Sequence, residues 1–197
     1  MQYDIWAVTP STSATYYRAA ASIAGAGQLT LLQTDAGRNG VGYKVSITSA
    51  GDDSGDTFTI VGTKVGDLTG SLTTEVVTGA NAGVATSVNY YARINSITAS
   101  GASAGNVSIG TTGSLALPRT RIKSLYYVGT TNAGSIVFTI NSTSGPEVLK
   151  IDTPAGATAF SDSLFLPADG IVLGRNTNND FGIMTLTEVT KVTVFCG

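Results

Sequence analysis

Ser46-Ile-Thr-Ser-Ala-Gly51-Asp-Asp-Ser-Gly55 and, fifty residues on, Ser96-Ile-Thr-Ala-Ser-Gly101-Ala-Ser-Ala-Gly105 are two copies of one phrase. The first runs into Thr57-Phe-Thr-Ile60 and Gly62-Thr63, the second into Val107-Ser-Ile109 and Gly110-Thr111. Each copy reads as a strand, a glycine-punctuated turn and a returning strand, which is a hairpin pattern. A fainter third copy runs through Ser124-Leu125, Gly129, Gly134 and Ile136-Val-Phe138. What stays constant is Ser-Ile-Thr, the glycines and the apolar return. The chemically suggestive residues are the ones that vary.

The flanking sequence keeps the period of two. Val41, Tyr43, Val45 and Ile47 alternate with Gly42, Lys44, Ser46 and Thr48, the signature of a half-buried strand. Leu72 to Thr78 and Val84 to Ile97 are further strands around the turn Gly79-Ala-Asn-Ala-Gly83. The apolar alternation slips by one between Ile94 and Ile97, which predicts a bulge or bend. Upstream, Tyr16 to Ile23 carries helix-favouring alanines but is taken as strand. Residues 1–35 as a whole are a candidate arm for reaching a neighbour. Thr111 to Pro118 is short and uncharged and is the best linker candidate. Beyond it, strands recur at Ile122–Val128, Ser135–Ile140, Glu147–Ile151, Ser163–Leu166, Gly170–Leu173, Phe181–Leu186 and Lys191–Phe195. Turns separate them, including Pro167 to Gly170 and Asn176 to Asp180. Short strands at such spacing predict an all-β fold of two small antiparallel β-sandwich-like modules in tandem, 1–114 and 115–197. A single longer sandwich is the alternative.

Composition narrows the function classes. Of 197 residues, 42% are hydrophobic, enough for packed cores, and only 12% are charged. Thr, Ser, Asn and Gly must therefore cover much of the surface. The net charge is −2 and there is no Lys/Arg run, which argues against nucleic acid as a partner. No run approaches ~18 apolar residues, so no membrane span is expected, and the N-terminus does not read as a signal peptide. The single cysteine, Cys196, excludes an intrachain disulfide and reads as a small apolar strand residue. There is no histidine, which removes the commonest general base and metal ligand.

Several motifs bear on chemistry. Gly101-Ala-Ser103-Ala-Gly105 matches the G-x-S-x-G nucleophile elbow. That elbow needs a helix after the serine and a base to take its proton, so Ser103 reads as a turn serine. Asp52, Asp53 and Asp56 share one loop and offer oxygens to a cation, yet their spacing fits no calcium loop and the second copy lacks them. Asp162, Asp169 and Asp180 are scattered, with no spacing that marks a catalytic pair. Tyr16/Tyr17, Tyr90/Tyr91 and Tyr126/Tyr127 are adjacent pairs whose members point to opposite faces of a strand. One member would be core and the other exposed, and Tyr91 or Tyr127 is the candidate for stacking on a sugar. Catalytic, cofactor and metal residues are expected to be none.

Lys44 to Thr63, followed by Leu72-Thr-Thr-Glu-Val-Val-Thr-Gly79 and Ser96-Ile-Thr-Ala-Ser-Gly101, resembles a module recurring in tailed-bacteriophage virion proteins. Ile122 to Val128, Leu149-Lys-Ile-Asp-Thr-Pro154, Leu166 to Ile171 and Val192 to Gly197 resemble a second small phage module. The insert Val65 to Gly70 departs from the plainer turn of the first. The resemblance implies a virion structural protein without enzymatic activity, made in the host bacterial cytoplasm. It points first to a capsid decoration (cement) protein that binds and stabilises the head shell. A neck, tail or fibre component comes second, and a carbohydrate-binding module is a separate alternative. The implied partners are the major capsid protein or other virion proteins, and copies of the chain itself as a homo-oligomer, with a trimer expected.

Overall fold

A computed structural model describes residues 4–8 (backbone only), 12–35, 41–67, 69–156, 158–167, 169–173 and 181–197. Fifteen strands follow one another without a helix among those residues. They are β1 Asp4–Val8, β2 Ser13–Ala21, β3 Gly27–Gln28, β4 Gly42–Ser49, β5 Thr57–Lys64, β6 Leu72–Thr78, β7 Val84–Ala99 and β8 Val107–Leu117. Then come β9 Thr120–Gly129, β10 Gly134–Ile140, β11 Glu147–Thr153, β12 Ser161–Phe165, β13 Ile171–Leu173, β14 Gly182–Thr187 and β15 Val189–Cys196. All the described pairings are antiparallel. The all-β expectation is met, and Tyr16 lies in a strand, not a helix.

The chain divides into two compact units, one of residues 11–113 and one of 1–10 with 114–197. A first module of 1–114 would include residues 1–10; instead β1 pairs along its whole length with β15, Asp4 opposite Cys196 and Val8 opposite Val192. The division falls inside β8, and this corrects the linker reading of Thr111–Pro118. Leu115, Ala116 and Leu117 are buried and pair with Met184, Ile183 and Gly182 of β14. A run of small apolar residues resembles a linker because it lacks charge, but burial is what it supplies. The loop at 36–40 and the turn at Asn176–Asp180 lie outside the described residues, as do Asp180 and the side chains of Ile5 and Trp6.

In the unit of residues 11–113, the strand order is β8-β4-β7-β5-β6, with β2 against β8 and β3 against β7. β7 organises it. This strand is 16 residues long, and its first half (Val84 to Tyr91) pairs with β4 while its second half (Tyr91 to Ala99) pairs with β5. The slip expected between Ile94 and Ile97 is there. Val61 faces Ser96 and Gly62 faces Ile94, so Asn95 is the extra residue of a bulge. Val45, Ile47, Phe58, Ile60, Ile94, Ile97 and Ile109 form the core with Tyr17. Tyr17 sits on β2, so residues 13–21 fold onto their own unit (Ser13 opposite Thr111, Ala21 opposite Val107) and do not form a loose arm.

The repeated phrase is not a hairpin. β4 and β5 lie next to each other in sequence but not in the sheet, and the same holds for β7 and β8. β4 pairs with β7 and β8, and β5 pairs with β7 and β6. Each copy is therefore an arch whose two strands go to different neighbours, and the two arches interlock. The faint third copy obeys the same rule. β9 pairs with β15, β12 and β13, whereas β10 belongs to the sheet β11-β10-β14-β8. Those two sheets make the other unit sandwich-like. Ile122, Leu125, Val192 and Val194 line one sheet, and Ile136, Phe138, Ile183 and Met184 are buried in the other.

Candidate interaction surfaces

The loops of the two interlocked arches lie against each other, and their polar residues are consumed there. Ala50 N–H donates to the Asn106 carbonyl (2.9 Å) and Ser100 N–H to the Thr57 carbonyl (2.9 Å), a near-reciprocal exchange. Gly51 and Gly105 make the approach possible. A Cβ on Gly105 would lie 2.9 Å from Gly51 N, and one on Gly51 2.8 Å from Ala104 C, closer than real Cβ contacts come. This is the physical reason the phrase keeps its glycines.

Asp53 sits at this crossing with 0% of its surface exposed. Its Oδ1 accepts the Ala104 N–H at 2.7 Å, and its Oδ2 has no hydrogen-bond partner. Asp52 is turned away and caps its own turn, with Oδ1 accepting from Ser54 N–H and Ser54 O–H. Those bonds hold the Asp52 carboxyl below the usual carboxylate range. Asp56 Oδ1 accepts from Ser100 O–H at 3.2 Å. The three acids thus bond to three separate residues, Ser54, Ala104 and Ser100. Among the described residues no group of three or more His, Cys, Asp or Glu side chains is placed to hold a metal ion.

Ser103 is equally engaged. Its Oγ accepts the Ile23 N–H (2.8 Å) and donates to the Gly105 carbonyl (2.6 Å). It staples the loop to the end of β2 and stands between two strands, without the helix an elbow requires. Asp162 accepts from Tyr127 O–H (3.3 Å) and from Ser163 N–H (2.7 Å). Asp169 contributes its carbonyl to Arg121. Neither is brought together with another carboxylate by these bonds.

The tyrosine reading needs correction. Tyr91, named as an exposed candidate, is 0% exposed. Its hydroxyl donates to Glu75 Oε2 at 3.0 Å, and burial together with the Glu75 charge pushes its pKa well up. Tyr90 is buried as well, with Lys44 Nζ 5.3 Å from its ring centroid. The bulged β7 is covered on both faces at this point, so the rule of one inside and one outside fails. The rule holds for Tyr126/Tyr127, but Tyr127 is the buried member and Tyr126 the half-exposed one.

Two surfaces carry no motif in the sequence. The first is a groove of about 620 Å³ on the outer side of β9, β12 and β15. Tyr126, Phe165 and Phe195 wall it, and Lys123, Ser124 and Pro167 border it. The register explains the gap. Phe195 and Phe165 flank Ser124 on neighbouring strands, so a small side chain sits between two rings. Phe165 is 81% exposed. The second surface is the edge strand β6. Leu72 (57%) and Val76 (60%) are exposed on it. The one acid of β6, Glu75, points away from that exposed row. Its carboxylate accepts the N–H groups of Val88 and Asn89 and the Asn89 side-chain amide. The usable sequence signal was the row Leu72, Thr74, Val76 and Thr78, an uncharged alternation on one face.

Comparison with family models, curated proteins and solved structures returned no match. The fold and these surfaces define an all-β protein of two units with open apolar patches.

Proposed function

We propose that the protein is a non-enzymatic structural component of a tailed-bacteriophage virion, a capsid decoration protein that binds and stabilises the head shell. The observation that carries the interaction role is the use made of its polar residues. The groups that looked catalytic or metal-binding are hydrogen-bonded into loop crossings, while apolar side chains stand exposed on β6, β7 and β12. Exposed apolar patches rimmed by polar residues mark association surfaces. The virion setting rests on the resemblance of the two modules to phage proteins. A shell held together by many weak contacts gains from a rigid β unit that offers edges and faces without chemistry. The partners on this reading are the major capsid protein and further copies of the chain. The test is co-sedimentation of purified protein with intact heads stripped of it, and separately with isolated tails. Saturable binding to heads alone is expected. Binding to tails alone moves the protein to the neck or tail, and binding to neither overturns the virion reading.

A further inference from the structure

Edge strands are usually guarded, because their unpaired N–H and C=O groups invite another strand. Most described edges here carry a guard. β3 is two residues long. β2 is broken by two register shifts and carries Arg18. β11 carries Glu147, Lys150 and Asp152, with an ion pair between the last two at 2.9 Å. On β12, Asp162 Oδ1 takes the Ser163 N–H of its own strand. β6 has none of these. It runs seven residues in unbroken register against β5, from Thr78 opposite Thr57 to Leu72 opposite Thr63. Among the described residues, no strand pairs with its other edge. Its single charge is turned to β7, where it serves three partners.

We infer that β6 pairs antiparallel with β6 of a second copy of this chain, across a twofold axis at Thr74. The backbone demands a strand as occupant, and the side chains choose which. In a symmetric antiparallel pair, opposed residues share a face, so the axis passes through one residue. An axis at Glu75 would set two carboxylates opposite each other, which is destabilising. An axis at Val76 would leave Leu72 beyond the partner strand, opposite Ala80. An axis at Thr74 sets Leu72 opposite Val76 of the second copy twice over, puts Thr74 against Thr74, and places Glu75 opposite the uncharged Thr73. It is the register that pairs both exposed apolar residues and opposes no like charges. The inference goes beyond the virion reading and does not rest on it.

The test uses the full chain. Analytical ultracentrifugation across a concentration series is expected to show a monomer–dimer equilibrium. Val76→Lys, at an exposed position, should weaken the dimer about tenfold or more, since it sets a charge opposite Leu72 twice. Val172→Lys, an exposed apolar site on β13, should leave it unchanged. Under mild oxidation Thr74→Cys should give a disulfide-linked dimer, because directly opposed residues lie within disulfide range, whereas Thr78→Cys should not. Should Val76→Lys fail to fold, the two cysteine variants decide. A monomer at every concentration, a trimer indifferent to Val76→Lys, or equal cross-linking at positions 74 and 78 overturns the inference.

Discussion

Asp53→Ala is expected to destabilise the 11–113 unit by about 2 kcal/mol. The wild-type carboxylate receives the Ala104 N–H at 2.7 Å and so ties the first arch loop to the second. A hydrogen bond to a charged group contributes roughly 1.5–3 kcal/mol, and a donor left unsatisfied costs in the same range. Two features pull the value below the top of that range. The Ala104 amide is only partly buried, so water recovers some of the loss. The variant also removes Oδ2, a buried oxygen without a partner in the native fold. Asp53→Asn keeps the Oδ1 acceptor and should lose less than half as much. Asp52→Ala, an exposed turn cap, should change little. The assay is urea unfolding followed by far-UV circular dichroism. With a slope of about 2 kcal/mol per molar, Asp53→Ala moves the midpoint down by about 1 M at unchanged slope. Calcium should move none of the curves. Equal losses from Asp52→Ala and Asp53→Ala, or a calcium-dependent midpoint that vanishes with either, would refute the interlock and restore the cation loop.

Gly105→Ala should cost about 1–3 kcal/mol, because its Cβ would crowd the Gly51 backbone, whereas Gly55→Ala meets nothing within 4 Å and should be neutral or slightly stabilising; similar unfolding midpoints for the two would contradict the loop packing. Glu188 is held below its usual pKa by Thr130 O–H first and by the Asn132 amide second. Its contribution is therefore complete above the unfolded value and is lost as pH falls through the depressed folded value, so Glu188→Gln should flatten the acid limb of a stability–pH curve. Burial first, and Tyr16 second, pushes Tyr43 up to about 12, and Tyr17 and Tyr91 go higher. Stability from these phenols is complete below pH ~10 and declines as pH rises toward the folded values. An absorbance titration should show a late class of tyrosines released on unfolding, and titration of all eight near pH ~10 in the folded state would contradict their burial.

The strands were legible because period-two alternation is local. The strand at Gly42–Ser49 and the bulge at Asn95 both follow from the apolar spacing, although Gly42 and Ser46 are buried as well, so that strand is covered on both faces and not half-buried. Pairing was not legible. A Gly-rich turn of seven residues between two strands permits a hairpin or an arch, and the choice is made by contacts fifty residues away, through Ala50, Asp53, Ala104 and Asn106. Repetition of the phrase was a clue to this. Two like arches can interlock, while two like hairpins need no such partner. The loop between β9 and β10 shows the same dependence. Thr130 N–H reaches the Glu188 carbonyl, and Glu188 itself takes a positive φ of 54°. The burial of Tyr91 escapes the alternation for a related reason. Alternation assigns faces to a regular strand, but β7 is bulged, and Glu75 from β6 covers the ring that alternation left outside. The exposed Phe165 has no signal in the sequence, because one aromatic in a short strand carries no pattern.

The most direct test of the central claim is the copy number of this protein on purified virions, measured by quantitative mass spectrometry against the major capsid protein. A shell-binding decoration protein predicts copies on the order of hundreds per particle, in a fixed ratio to capsid subunits. About a dozen copies or fewer, or none, would contradict it.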